Sequence, residues 1–443
     1  MMELHDIVQM SSSASSGFEL VANNLSFPTG FSFDDTGAAY VAESGLPFGG
    51  APAGGRILRL TNGGERELVA TKLRAPVNGV TWYRGGIYVS EGGHPGRISR
   101  FEPDGRQTVI LDNLPGPGNY HTNMVAFGPD AKLYFSQGAM TNTGIVGLDA
   151  YEIGWLRRLP HAHDVPGFDV TLAGFSAETD DPVRGGPLRA VTGAFSPFGT
   201  AAGAGTRIKK SVPCTAAVMR CDIDGSHLEL VAWGLRNAYG LGFLADGRLL
   251  ATDQGADDRG SRPLGDVPDL LHVVKEGAWY GWPDYIGNIP VTHGRFTPER
   301  GAPPAFVLAD HSELPPPEGA VLEFPAHCGA LKFTVVPGEE TTEEDLIVAL
   351  FGDERPMVAP AGPRAGRGLA RVRLRDWSIR SFLAGPLHRP IDVAFRQEEN
   401  ALYVLDFGEF EMGEDCRVIA RPGTGRLCRI CLRTFERLST AGG

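Results

Sequence analysis

One phrase is written six times along this chain, and that repetition limits the fold more than any other feature. Each copy has a polar or Pro-Gly lead, an apolar strand, a turn, and a second apolar strand ending in an acid or an amide. The first three copies are LSFPTGFSFDDTGAAYVAES from Leu25, LRAPVNGVTWYRGGIYVSEG from Leu73 and NYHTNMVAFGPDAKLYFSQG from Asn119. The others are GLRNAYGLGFLADGRLLATDQG from Gly234, HCGALKFTVVPGEETTEEDLIVALFGD from His327 and LHRPIDVAFRQEENALYVLDFG from Leu387. Turns such as Asp-Asp-Thr-Gly and Ala-Asp-Gly suit hairpins between antiparallel strands. A second hairpin follows most copies, as in GRILRLTNGGERELVA and GRISRFEPDGRQTVIL. Six four-stranded units of roughly 40–45 residues describe blades in a closed ring. The expected fold is all-β, a six-bladed β-propeller.

A chain of 443 residues would otherwise suggest two or three domains. The repeat accounts for nearly all of it as one propeller over residues 18–435, with a disordered leader at 1–17 and a disordered tail at 436–443. With 59 Gly and 33 Pro against 42% hydrophobic residues, the composition fits short strands, tight turns and a large core. The sixth copy is followed by one strand, GRLCRICL, where two are expected. FELVANNL near the N-terminus is positioned to supply the missing outer strand and remove a sheet edge. Two long loop insertions interrupt the pattern, at about 139–213 and 256–325, each leaving from the end of the second strand of its blade. Cys428 and Cys431, the only C-x-x-C, lie in that last strand at an odd spacing. They point to opposite faces and read as structural thiols rather than a zinc site.

The net charge of −12, from 41 basic and 53 acidic residues, disfavours nucleic acid as a partner. No apolar stretch approaches the length of a membrane span. MMELHDIVQMSSSASSGFEL lacks the charged and apolar regions of a signal peptide, so the expected location is cytoplasmic by default.

In a propeller, the start of the innermost strand and the end of the next lie at one mouth. The starts contribute Thr29, Asn78, His121 with Asn123, Arg236 with Asn237, His327, and His388 with Arg389. The ends contribute Glu43, Glu91, Gln137, Asp253 with Gln254, Asp353 and Asp406. Polar groups converging on a concave mouth mark a site for a small molecule. His161, His163, His272, His293 and His311 fall in the insertions without a register argument and are read as surface residues.

VAWGLRNAYGLGF, ATDQGADDRGSRP and GAWYGWPDY resemble the glucose/sorbosone dehydrogenase family, and HTNMVAFGPDAKLYFSQG resembles the family's segment with the catalytic histidine. The resemblance spans roughly Leu25 to Leu432. It implies a sugar or aldehyde oxidoreductase using pyrroloquinoline quinone and Ca2+, with an external electron acceptor. By resemblance, His121 would be the general base at the sugar hydroxyl, and Arg236 would stabilise charge developing on the quinone oxygen. Asn78, Asn237 and Arg389 would meet the cofactor, Tyr280 and Trp282 would wall the site, and the carbonyls of Gly255 and Ala256 would hold Ca2+. Relatives with this cofactor are often exported, unlike the expectation from the leader.

The chain departs from the family pattern at three places. Ile391 replaces an arginine after Arg389, Val77 replaces a glutamine before Asn78, and Asp353, Glu354 and Arg355 stand where a lysine is expected. Losing two cations weakens the hold on a tricarboxylate. Two further readings follow from the ring of polar residues. One is a lactonase-like propeller hydrolase with a metal held by Glu43, Glu91, Asp253, Asp353 and Asp406. The other is a non-catalytic binding propeller.

Overall fold

The computed structural model describes residues 18–61, 65–185, 188–338, 343–360 and 362–432. The expected leader, the tail and residues 433–435 lie outside them. The described residues form six four-stranded antiparallel sheets arranged as a propeller. Blade one comprises Pro28–Phe33, Ala39–Glu43, Gly55–Leu60 and Arg66–Leu73, and blade two Val77–Tyr83, Gly86–Glu91, Gly96–Phe101 and Gln107–Leu114. Blade three comprises Thr122–Phe127, Leu133–Gln137, Ala217–Cys221 and Glu229–Trp233. Blade five comprises Ala330–Pro337, Glu344–Leu350, Gly368–Arg373 and Ile379–Ala384.

Blade six is closed by the N-terminal strand. Phe18–Leu25 pairs with Gly425–Cys431, outside Ala401–Asp406 and the inner strand Pro390–Arg396. Leu25 is fully buried there, and Cys428 is buried while Cys431 is half-buried. Joining the two ends of the chain in one sheet removes the edge that a last blade of three strands would expose.

The second strand of five blades is buried along its length, and that of blade five is buried except at its two end residues, because neighbouring sheets cover both faces. The outer strands, as in Arg66–Leu73 and Gln107–Leu114, are exposed over most of their length and buried at the last residue, since they lie at the rim of the ring. Turn chemistry matches the sequence. Asp34 Oδ1 accepts from the amides of Thr36 and Ala38, and Gly37 takes the φ of +85° that closes the turn.

Blade four corrects the expected second insertion. Its strands are Ala238–Phe243, Leu249–Asp253, Pro268–Val274 and Leu322–Ala326, so the third strand lies inside the supposed loop 256–325. A long connection separates the two outer strands, and no hairpin turn advertised them. His272 sits on that third strand with no exposure, so it is a core residue and not a surface one. Burial holds its pKa down to about 3. His311, half-buried, lies with Nε2 3.0 Å from Asp284 Oδ2.

Between the second and third strands of blade three, the chain builds a layer over one face of the ring. It contains a short helix, Leu148–Ile153, and a hairpin of Ser176–Asp180 with Arg189–Gly193. Met140, Val146, Trp155, Leu156 and Phe198 give this layer its own apolar cluster. Among the described residues, no helix is long and apolar enough to cross a membrane.

Candidate active site

The ring of strand-end acids proves to be mostly architecture. Glu91 accepts the amide of Arg74 at 2.7 Å and is gripped by Arg97 at 2.6 and 2.9 Å. Asp406 accepts the amides of His388 and Arg389 at 2.9 and 2.8 Å and pairs with Arg426 at 3.0 Å. Glu43 accepts the amide of Ser26 at 2.6 Å and pairs with Arg56. Asp253 takes the amides of Arg236 and Asn237 at 3.1 and 2.6 Å. In each of these four blades the acid ties the leading turn to the sheet, since a buried turn must satisfy its amides. None of the four lines the central cavity, so they supply no metal-ligand ring for a hydrolase. Among the described residues, no three His, Cys, Asp or Glu side chains are grouped as metal ligands.

What the mouth does contain is a cavity of about 680 Å3, a size suited to a small molecule. Thr29, Asn78, His121, Arg236, Gln254, His327 and Asp353 line it, as their register positions predict, and so does Gly255. The wall from blades one, five and six is aromatic. Phe48, Phe351, Phe407 and Phe410 pack edge-on with centroids 5.2–5.6 Å apart. The opposite wall is polar and adds residues that strand register does not reveal, Tyr120, Asp149, Asp257, Arg259 and Asp269, while Glu354 lies on the blade-five rim. Asp257 and Arg259 come from the charged run ADDRG after a strand end, the one signal that pointed to them.

His121 is set by backbone contacts. Its carbonyl accepts the amide of Gly138 at 2.8 Å, and a Cβ on Gly92 would fall 2.5 Å from its own Cβ, so only glycine fits there. Its Nδ1 is buried with no hydrogen-bond partner. Burial, with the charge of Arg158 second, lowers its pKa to about 4. The ring is therefore neutral at physiological pH and can accept a hydroxyl proton.

Arg236 lines the cavity, but its guanidinium is engaged within the protein. It is 3% exposed and donates to Asn142 O at 3.0 Å, Gln254 O at 3.2 Å, Gly255 O, Asn142 Oδ1 at 2.7 Å, Asp257 Oδ2 at 3.0 Å and the Tyr120 hydroxyl. A guanidinium has five N–H donors, and these contacts engage them all. Arg259 completes the cluster, 3.0 Å from Asp257 and 2.9 Å from Asp149.

Several expected site residues lie elsewhere. Arg389, 1% exposed, sits behind the aromatic wall, 4.9 Å from the Phe351 ring centroid. It donates to Asp353 O at 3.0 Å, Gly352 O at 3.2 Å and Glu411 at 3.2 Å. Asn237 faces Asn123 and Gln254, at 2.8 and 2.5 Å, and is buried beneath the cavity wall. The hydroxyl of Tyr280 donates to Val273 O at 2.6 Å and accepts from Lys275 N at 2.9 Å. Trp282 Nε1 donates to Asn142 O at 3.2 Å. Both aromatic residues are 2% exposed and border a crevice of about 20 Å3, not the cavity. Ala256 has no exposure and packs with Leu264, Val267 and Phe296. Asn78 does face the cavity, its Nδ2 donating to Thr122 O at 3.0 Å.

A lysine is present in blade five, though not at the strand end where one was expected. Lys332 on the inner strand of blade five donates to Thr29 O at 2.8 Å and Asn78 O at 2.9 Å and pairs with Asp392 at 3.3 Å. It thereby straps blades one, two, five and six together beneath the cavity floor.

Solved structures share this architecture at low identity. The pyrroloquinoline-quinone-bound form of an aldose sugar dehydrogenase from Streptomyces coelicolor is 16% identical. It covers 93% of this chain and 97% of its own, with a TM-score of 0.55. The holo form of the quinone domain of a pyranose dehydrogenase from Coprinopsis cinerea is 13% identical, over 94% and 95%, at 0.56. The calcium structure of a carbohydrate-active enzyme from Trichoderma reesei is 14% identical, over 94% and 95%, at 0.55. No protein-family model and no curated protein matches the chain. These likenesses establish the propeller fold; function rests on the site.

The donor set does not fit pyrroloquinoline quinone with Ca2+. Gly255 lines the cavity with a carbonyl that accepts from Arg236 and keeps one lone pair, but Ala256, the second expected ligand, does not line it. Arg389 is engaged behind the aromatic wall, and Ile391 lines the cavity where a second arginine was expected. Arg300, the remaining guanidinium on the cavity, is bonded through its terminal nitrogens to the carbonyls of Asp258, Pro356 and Met357. No arginine there is left free to pair with three carboxylates.

Proposed function

We propose that the protein is a propeller oxidoreductase acting on a small polyhydroxylated substrate of the sugar type, bound in the central cavity. The observation that carries the reading is His121: a neutral imidazole, its Nδ1 without a partner, in the wall of a cavity lined by phenylalanine rings on the other side. The apolar face of a sugar ring would rest on Phe351, Phe407 and Phe410, turning its hydroxyls toward the polar wall. His121 would take the proton of the hydroxyl being oxidised. With a pKa near 4 it is a weak base toward a resting hydroxyl, and it would take the proton as the hydride leaves, when the developing carbonyl makes that proton far more acidic. The hydride would go to a diffusible quinone-type acceptor, which also takes up a proton and leaves as the hydroquinone, while the substrate leaves as the carbonyl compound. The sequence resemblance around His121 and the sugar-dehydrogenase neighbours support this reaction class.

The test is dye reduction by the purified protein against a panel of aldoses, with and without added pyrroloquinoline quinone and Ca2+. Saturable turnover that falls by ~10²-fold or more in His121→Ala is expected. Turnover that survives that substitution would overturn the role of His121. Strict dependence on the added quinone and Ca2+ would overturn the structural argument against that cofactor.

A further inference from the structure

The cavity is unbalanced in its hydrogen bonding. Its cationic donors are engaged within the protein, Arg236 and Arg259 as described, and so are the Tyr120 hydroxyl to Asp257 at 3.1 Å, Thr29 Oγ1 to Val77 O at 2.6 Å and Asn78 Nδ2 to Thr122 O, while the buried Ser261 hydroxyl has no partner. Most of its carboxylates are engaged as well, Asp257 by Arg236 and Arg259, Asp149 by Arg259, and Asp269 by the amides of Gly255 and Ala330, but two groups of blade five are not. Among the described residues the Glu354 carboxylate has no hydrogen-bond partner, although it lines the cavity and is half-buried. His327, 8% exposed and also on the cavity, has a buried Nε2 with no partner. The two are neighbours on the rim of blade five. Phe351 N donates to Gly329 O at 2.9 Å and Gly352 N to Cys328 O at 2.8 Å, joining the turn that carries His327 to the strand end that leads into Glu354.

A ligand for such a site must bring donors and positive charge. A polycarboxylate brings neither, whereas an ammonium brings three N–H groups and a full charge at one point. We propose that the blade-five rim of the cavity is a subsite for an ammonium group on the substrate, with Glu354 as its counter-ion and His327 Nε2 as a second partner. The inference rests on the sugar reading above and specifies its substrate class as an amino sugar. Electrostatics agree with the geometry. Burial raises the pKa of Glu354, as do Asp257 and Asp353, against the pull of Arg389 and Arg259. A bound cation would restore its ionised form.

Calorimetric titration of the full chain with glucose, glucosamine and N-acetylglucosamine tests the subsite. Glucosamine is expected to bind at least about tenfold more tightly than either neutral sugar, the range of a hydrogen-bonded charge. The comparison with N-acetylglucosamine needs no variant, so it stands even if a substitution perturbs folding. In Glu354→Gln the three affinities should converge to within about twofold, since the counter-ion is gone. Equal affinities in the unaltered protein, or a preference that persists in Glu354→Gln, would overturn the subsite. Glucose bound and oxidised without any preference for the amine overturns the subsite alone. Failure of all three sugars to bind overturns the sugar reading with it.

Discussion

Replacing Arg236 with methionine separates a structural cation from one held ready for a ligand. The guanidinium ties the blade-four rim (Gln254, Gly255 and Asp257) to Asn142 and Tyr120 of blade three. Removing one partner of a buried pair costs about 3–5 kcal/mol, because the remaining groups stay desolvated and unpaired. Asp257 keeps Arg259 at 3.0 Å, which places the expected loss toward the lower end. Unfolding entropy of about 2 cal/mol/K per residue gives about 0.9 kcal/mol/K for 443 residues, so Tm should fall by about 3–5 °C. Scanning calorimetry reads this directly, with the exposed Arg417→Met as a control expected to leave Tm in place. An Arg236→Met protein with Tm unchanged or raised would refute the reasoning. That result is the signature of a cation whose partners arrive with a ligand, since such sites are held at a cost to stability.

Two further outcomes follow from closure of the ring and from His121. Leu25→Ala removes a fully buried side chain from the strand that closes blade six, and should lower stability by about 2–5 kcal/mol in chemical denaturation. A loss below about 0.5 kcal/mol, the range of surface changes, would mean the closing strand contributes little. For His121 the sign of the pH effect is set by a folded pKa of about 4 against 6.5 for the free ring. The ring stays neutral from pH 8 to near 5, so glucose affinity should be flat there and fall only as pH approaches 4. Between 6.5 and 4 the unfolded chain takes up the proton first, so this ring lowers stability as pH falls. His121→Gln should flatten that part of the Tm–pH curve, and an unchanged curve would count against the buried neutral imidazole.

The cavity joins two surfaces with separate origins. The aromatic wall belongs to the packing between blades one, five and six, where Phe27, outside the cavity, continues the cluster at 5.2 Å from Phe407. The polar wall is held by the Arg236, Arg259 and Asp257 cluster together with Lys332 below. A rigid floor and walls of this kind hold His121 in place without a side-chain hydrogen bond, because Gly92 and Gly138 bring the backbone against it.

The number of blades, the closing role of FELVANNL and the mouth at which strand ends meet were all legible in the chain. They depend on local alternation and on a repeat that only radial packing satisfies. Thr29, Asn78, His121, His327 and Gln254 were placed on the cavity by register alone. Register could not say where long side chains turn. Arg236 and Arg389 start at the mouth, yet carbonyl groups from loops distant in sequence draw them into the protein. Tyr280 and Trp282 keep a family phrase while their polar atoms bond to Val273 and Asn142. Pro268–Val274 was hidden because its partner strand lies beyond a long connection. Glu354 could be recognised only in three dimensions, since a carboxylate is open to a ligand only when no arginine or amide in the folded chain reaches it first.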